Sequence, residues 1–199
     1  HLLSLVADGR LNVTEARKKL AHASYENIDY AQIDHHRTLR KGFPEVIFGE
    51  GKTAQQIIGI LEKMTPRENI VLVTRTDREK ANAIQHAFKT AQYFEDARLL
   101  WLQKKTPEIT GMGKILVISA GTSDIPVARE AALTAEAMGN DVETVFDVGV
   151  AGIHRLFAHQ EKILAATVII VVAGMEGALP SVVAGMVQSP VIAVPTSIG

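Results

Sequence analysis

The second half of the chain alternates between short apolar runs and longer helical patterns, and this alternation limits the fold more than any other feature of the sequence. Strands that alternate with helices over short connections form parallel sheets with helices packed on both faces. We therefore predict an α/β fold with a parallel sheet. The predicted strands are residues 115–118, 142–146, 167–172 and 191–194, and the predicted helices are residues 125–138, 153–164 and 179–187.

The first half of the chain predicts a smaller α/β region. The segment 103–114 contains one proline and two glycines and is the candidate domain boundary. We therefore expect an N-terminal α/β region at residues 1–110 and a second domain at residues 111–199. Strand-like runs in the first half cover residues 45–48, 69–73 and 99–102, and helical patterns cover residues 12–23, 53–64 and 78–88.

The composition excludes several classes of protein. A net charge of −1 favours neither nucleic acid nor a membrane surface as a partner. The longest apolar run, residues 163–173, is about half as long as a membrane-spanning helix and predicts a buried strand instead. The sequence has no cysteine, which excludes disulfides and thiolate metal sites and fits a reducing compartment. We expect a soluble, cytoplasmic protein.

Ligands of such folds bind at the carboxyl ends of the strands. The first loop at that edge, SAGTSD, is short and polar and leads into a helix. Gly121 leaves room for a ligand, and hydroxyl and N–H groups at a helix N-terminus favour phosphate. The alternative is that Ser123 or Asp124 only caps the helix.

The next two strands are also followed by candidate catalytic residues. Asp147 provides a carboxylate, His154 could transfer a proton, and the planar guanidinium of Arg155 could bind a phosphate or carboxylate. Glu176 lies in a glycine-flanked loop, after Gly174, at the rim of an apolar core. Desolvation there would raise its carboxyl pKa and suit it to general acid or base catalysis. The alternatives are a solvated His-Arg pair and a helix-capping acid.

In the first half, the cluster DHHRTLRK begins at Asp34. If the cluster is helical, Arg37 and Arg40 share a face that could bind an anion, and Asp34 could orient Arg37. Adjacent histidines point in different directions on a helix, which argues against a metal site built from this pair. A solvated basic patch is the alternative.

Four segments of the second half, SAGTSD, GVAGIHR, AGMEGALPSVVAGM and SPVIAVPTSIG, resemble the aminoimidazole ribonucleotide carboxylase and mutase family in order and spacing. The segment DHHRTLRKGFPEVIFGEGKT, residues 34–53, is similar to the added N-terminal region of the LarB family within that group. The resemblance implies a flavodoxin-like fold and a homo-oligomer, either an octamer or a dimer of octamers.

The resemblance to the LarB family implies a specific reaction. The substrate would be nicotinic acid adenine dinucleotide, carboxylated on its pyridinium ring by carbon dioxide or bicarbonate and hydrolysed at its phosphoanhydride. The products would be pyridinium-3,5-biscarboxylic acid mononucleotide and AMP, in the first step towards the nickel-pincer cofactor of lactate racemase. Mg2+ is the candidate divalent cation. The alternatives are a purine-synthesis carboxylase or mutase and a non-catalytic nucleotide-binding assembly module.

The resemblance also implies roles for individual residues. Glu176 and Asp147 would transfer protons and organise a divalent ion or water. His154 and Arg155 would correspond to the second substrate loop of the family, although this chain has Gly152 and Ile153 where the family has serine and alanine. Arg37 and Arg40 would bind the pyridine carboxylate or a phosphate. The residues expected to bind phosphate and ribose are Ser119, Gly121, Thr122, Ser123 and Asp124.

The family reaction uses a cysteine thiolate, which this sequence lacks. The chain also begins without methionine and stops at Gly199 directly after a strand-like run. Either the natural protein continues past Gly199 or this version lacks the nucleophile, and in both cases we expect the chain as it stands to be inactive in carboxylation.

Overall fold

The computed structural model describes residues 2–16, 25–35, 37–38, 42–43 and 45–197. It begins with helix α1 (Leu2–Ala7). Of the helix predicted at residues 12–23, residues 13–16 are helical and residues 17–23 lie outside the described part of the chain.

The first half contains a mixed four-stranded sheet and a separate two-stranded hairpin. The hairpin pairs β1 with β2, and the sheet has the order β3-β4-β6-β5. Strand β3 is parallel to β4, whereas β6 is antiparallel to both of its neighbours. The strands are β1 (Tyr25–Asn27), β2 (Gln32–Asp34), β3 (Val46–Phe48), β4 (Ile70–Thr74), β5 (Ala91–Phe94) and β6 (Leu99–Gln103); the helices are α2 (Ala54–Met64) and α3 (Arg78–Ala87).

Local signals explain where the two helices begin. Thr53 accepts a hydrogen bond from the N–H of Gln56 while the Gln56 side chain accepts one from the N–H of Thr53, which forms a capping box at α2. Asp77 caps α3 by accepting the N–H of Lys80 at 2.8 Å. Three strands and both helices of this region are confirmed to within about two residues, but the hairpin and β5 were missed.

The second half is an all-parallel sheet with the order β10-β9-β7-β8. In chain order the first strand is central, the second lies on one side, and the third and fourth lie on the other, which is the flavodoxin-like arrangement. The predicted fold class is confirmed. The elements are β7 (Lys114–Ser119), α4 (Ile125–Ala137), β8 (Asp141–Val145), α5 (Ile153–Phe157), α6 (Gln160–Ala165), β9 (Val168–Ala173), α7 (Ala178–Met186) and β10 (Val191–Pro195).

Two expectations for this half are wrong. The helix predicted at residues 153–164 is broken into α5 and α6, because the backbone of His159, at φ −109° and ψ 17°, leaves the helical region. The fully buried Leu156 and Ile163 are seven residues apart, so the apolar pattern continues across the break. The apolar run 163–173 is also not one strand, since its first residues end α6 and β9 begins at Val168.

Helix α4 joins the two halves. Its residues Ala128 and Ala132 pack against the parallel sheet with no exposed surface. Leu133 and Ala137 on the same helix belong to a buried cluster that includes Leu99 of the first half. Ion pairs flank this contact, Arg75 to Glu130 at 3.0 Å and Arg129 to Asp96 at 2.9 Å. The position of α4 is therefore fixed from both sides.

Within the described residues, no helix has the length and apolar character required to cross a membrane.

The pH dependence of stability can be predicted for one group of charged contacts in the first half. The carboxylate of Glu26 accepts a hydrogen bond from Lys63 at 2.8 Å and contacts the His35 ring at 3.1 Å. These two hydrogen bonds, of which the one from Lys63 has the larger effect, lower the carboxyl pKa of Glu26 below its ordinary 4.5. A carboxyl group whose pKa is lower in the folded state than in the unfolded state stabilises the fold at pH values above its unfolded-state pKa. This stabilisation is lost as the pH falls through its folded-state pKa. We expect Glu26→Gln to unfold at lower urea than wild type at pH 7, with the difference closing below about pH 4.5.

The control for this comparison is Glu62→Gln, which removes one carboxylate from an exposed position on the same helix as Lys63. Urea midpoints measured from pH 7 to pH 3 should show little difference between this variant and wild type. A Glu26→Gln difference that stays constant over this range would contradict the assignment.

Candidate active site

A cleft of about 340 Å³ opens at the carboxyl ends of β7, β8 and β9. The chain leaves β7 towards β8 on one side and returns to β9 on the other, so the loops after these strands diverge and leave a crevice. A cleft of this volume is within the range of small-ligand sites. Seven of the predicted site residues line it: Gly121, Ser123, Asp124, Asp147, Arg155, Gly174 and Glu176.

The loop after β7 is held in shape by a buried carboxylate. Asp124 is 5% exposed. One of its oxygens accepts the N–H of Gly121 at 2.9 Å, and the other accepts the hydroxyl of Thr196 at 2.6 Å. Asp124 therefore ties the loop back on itself and does not cap α4 through its side chain. Ser123 is exposed and lines the cleft, whereas Thr122 is exposed but does not line it.

Ser119 positions the neighbouring loop and has no exposed surface of its own. Its hydroxyl accepts the N–H of Asp147 at 3.1 Å, and its carbonyl accepts the N–H of Val148 at 3.1 Å. These two bonds hold the backbone of Asp147, which has the left-handed φ of 58°. Because Ser119 is buried beneath the loop, its effect on a ligand acts through Asp147.

Arg155 and Asp147 form an ion pair in the cleft. The guanidinium Nη1 lies 2.6 Å from Asp147 Oδ2, and the side chains are 40% and 45% exposed respectively. A Cβ at Gly152 would lie 2.7 Å from Arg155 Nε, so the glycine makes room for the guanidinium. His154 is exposed and does not line the cleft. Of the adjacent pair, Arg155 alone is placed to contact a bound anion.

The loop after β9 carries Glu176 into the cleft on a tight turn. The N–H of Gly177 donates to the carbonyl of Gly174 at 2.9 Å, and Met175 and Gly177 both have left-handed φ angles. The side chain of Glu176 is exposed, so the burial assumed in the sequence argument is absent. Glu176 faces the cleft from solvent, where it could accept or donate a proton.

Two residues that are not among the predicted site residues also shape the cleft. A Cβ at Gly149 would lie 2.9 Å from the carbonyl oxygen of Ala120, so this glycine allows the first two loops to approach each other. Thr196 follows β10 and reaches the loop after β7. The glycine-rich sequence DVGVAG indicates a close backbone approach at Gly149. A hydroxyl directly after an apolar strand is a weaker signal for Thr196.

The described residues of the basic cluster in the first half do not line this cleft. Asp34 ends β2, and the guanidinium of Arg37 lies 5.5 Å from the ring centre of Phe43. Neither Asp34 nor Arg37 lines the cleft. Thr38 donates to Glu68 at 3.0 Å, which ties this segment to its own half. Arg40 lies outside the described residues.

The described part of the chain contains no group of three or more His, Asp or Glu side chains arranged to hold a metal ion.

Both halves match known families. Residues 25–105 match the family model described as the LarB/PurE-like N-terminal domain, and residues 114–199 match that of AIR carboxylase. The chain belongs to the LarB-like family related to AIR carboxylase. The uncharacterized protein MJ0165 of Methanocaldococcus jannaschii is similar to this LarB-like chain, with 42% identity over 204 residues that cover 98% of the chain and 80% of that relative. The relationship supports a carboxylase-family role.

The close approach at Gly149 can be tested by adding one methyl group. In Gly149→Ala the new Cβ would meet a backbone carbonyl, which cannot rotate away, so the loops must separate. We expect a loss of about 1–3 kcal/mol in the free energy of unfolding, measured by urea titration. The matched control is Gly185→Ala in α7, where a Cβ meets nothing within 4 Å. Its stability should stay the same or rise by up to about 1 kcal/mol.

Proposed function

We propose that the protein carboxylates the pyridinium ring of nicotinic acid adenine dinucleotide and hydrolyses its phosphoanhydride. The products are pyridinium-3,5-biscarboxylic acid mononucleotide and AMP, which begins synthesis of the nickel-pincer cofactor of lactate racemase. The observation that carries the proposal is the LarB/PurE-like domain joined to an AIR carboxylase domain whose three loops converge on one cleft.

The cleft combines groups that can bind phosphate with apolar groups that can pack against a ring, as a nucleotide requires. Arg155 brings a positive charge to one wall, and the loop from Gly121 to Asp124 leads into the N-terminus of α4. Both features favour phosphate. Apolar side chains that include Val150 and Leu179 also line the cleft and can pack against a planar ring.

The proposed chemistry requires a nucleophile as well as binding. A pyridinium cation does not attack carbon dioxide, so in the reaction implied by the family a thiolate first adds to the ring. The resulting dihydropyridine forms a carbon–carbon bond to carbon dioxide, a base removes the ring proton, and the thiolate leaves with its electron pair. We assign proton transfer to Glu176. Because the 199 residues contain no cysteine, they supply no thiolate for this step.

Hydrolysis of the phosphoanhydride is a separate step. Water adds to one phosphorus, the bond to the bridging oxygen breaks, and a carboxylate takes the proton of the water. We assign this proton to Asp147. We further propose that Asp147 and Glu176 would hold a magnesium ion, since Mg2+ in proteins commonly binds one or two carboxylates together with substrate phosphates. Such an ion would supply charge neutralisation at the diphosphate.

A second candidate is carboxylation or carboxylate transfer on aminoimidazole ribonucleotide, favoured by the match of residues 114–199 to AIR carboxylase. The N-terminal domain has no evident use in that reaction. A non-catalytic nucleotide-binding assembly module is the third candidate, and it is favoured by the lack of cysteine. For each candidate we propose a cytoplasmic protein that assembles into a homo-oligomer, either an octamer or a dimer of octamers. Apolar side chains such as that of Ile192, which is 51% exposed, are available for subunit packing.

One assay separates the three functions. The 199-residue chain and a longer form with a cysteine after residue 199 are incubated with nicotinic acid adenine dinucleotide, bicarbonate and magnesium, and products are identified by mass spectrometry. We expect AMP and the carboxylated mononucleotide from the longer form and no carboxylated product from the 199-residue chain. Turnover of aminoimidazole ribonucleotide, supplied in a parallel incubation, supports the second candidate, and binding without turnover by either form supports the third.

The role of Arg155 is tested by Arg155→Gln. Loss of a charge-assisted hydrogen bond to phosphate should weaken binding of the dinucleotide by about 10- to 100-fold in calorimetry. The control is Arg78→Gln, which removes an arginine paired with Glu95 in the first half. This variant should bind as wild type does, and equal effects of the two substitutions would mean that Arg155 acts only through net charge.

A further inference from the structure

We propose that Thr196 is a positioning residue of the cleft, which fixes the anion-binding turn after β7 through the carboxylate of Asp124. The inference deepens the proposed function, because it concerns the same nucleotide site. No sequence motif assigned a role to Thr196.

Thr196 connects two strands that are not neighbours. Its backbone N–H donates to the carbonyl of Ala173 at 3.1 Å, which extends the pairing of β10 with β9. Its hydroxyl reaches past the end of β9 and donates to Asp124 Oδ1 at 2.6 Å. Since β9 lies between β10 and β7 in the sheet, this side chain links the last strand to the loop of the central strand.

The link matters because Asp124 is buried. A carboxylate that is 5% exposed has little access to water and depends on protein donors. Its two identified donors are the hydroxyl of Thr196 and the N–H of Gly121. Without the hydroxyl, the carboxylate would turn towards solvent and release Gly121, and the turn would relax.

The same bonds determine which groups of the turn face an anion. The N–H of Gly121 is directed to Asp124 at 2.9 Å and is therefore not available to a phosphate. Ser123, which lines the cleft, lies in the helical segment that continues into α4. N–H groups at the start of a helix have no partner within it and can donate to an anion. Thr196 thus sets the orientation of these donors without contacting the ligand.

The first test does not depend on the ligand. Thr196→Val keeps the backbone N–H and the side-chain shape but removes the hydroxyl donor, and Thr196→Ser keeps the donor. By amide hydrogen exchange, we expect the Gly121 N–H to exchange about tenfold faster in Thr196→Val and at the wild-type rate in Thr196→Ser. If Thr196→Val does not fold, Thr196→Ala is measured instead, with the same direction expected. An unchanged rate at Gly121 overturns the proposal.

The second test measures binding of nicotinic acid adenine dinucleotide by calorimetry. We expect about tenfold weaker binding in Thr196→Val and recovery in Thr196→Ser. Ser197→Ala, at the exposed neighbouring position, is the control and should bind as wild type does. Equal weakening in Thr196→Val and Thr196→Ser overturns the proposal, because it would mean that only side-chain shape matters.

The two tests also separate this inference from the proposed function. If wild-type protein binds neither the dinucleotide, AMP nor inorganic phosphate, the proposed function fails and so does the ligand-binding part of the inference. Hydrogen exchange at Gly121 still decides whether Thr196 fixes the turn.

Discussion

Strand β7 is the constraint on which the second half depends. It is the only strand of that sheet hydrogen-bonded to both β8 and β9, and its residues Leu116, Val117 and Ile118 have no exposed surface. Because the chain leaves β7 on one side and returns on the other, the loops at its carboxyl end separate and cannot close over it. The position of the cleft is therefore a consequence of strand order, and the loop residues determine its shape and chemistry.

Hydroxyl groups at strand ends stabilise the loops around this cleft. Ser119 at the end of β7 holds the loop after β8, and Thr196 after β10 holds the loop after β7. Both hydroxyls connect segments that are distant in sequence, and Asp124, which Thr196 contacts, is itself buried. Polar groups buried in this way restrict the loops to one arrangement, because each lost partner leaves a donor or acceptor without compensation.

The sequence predicted the parallel half well because its strands are apolar runs and its helices have regular periodicity. The hairpin β1–β2 could not be found in this way, since its short segments YEN and QID are mostly polar. Gly121, Asp147 and Glu176 were identified because they follow strands. The environment of the site residues could not be predicted, because the exposure of Glu176 and the burial of Ser119 depend on how separate loops pack. The Thr196–Asp124 bond joins residues 72 positions apart, which no local pattern reveals.

Helix α4 begins at the turn after β7 and, further along, packs Leu133 and Ala137 against the first half of the molecule. Its 13 residues form a stiff rod of about 20 Å between the cleft and the N-terminal domain. The buried contacts at Leu133 and the ion pair of Glu130 with Arg75 restrict movement of this helix relative to the first half. The start of α4 at the rim of the cleft and its buried contact with the first half are therefore held in one fixed geometry, so the same helix that borders the cleft also joins the two halves.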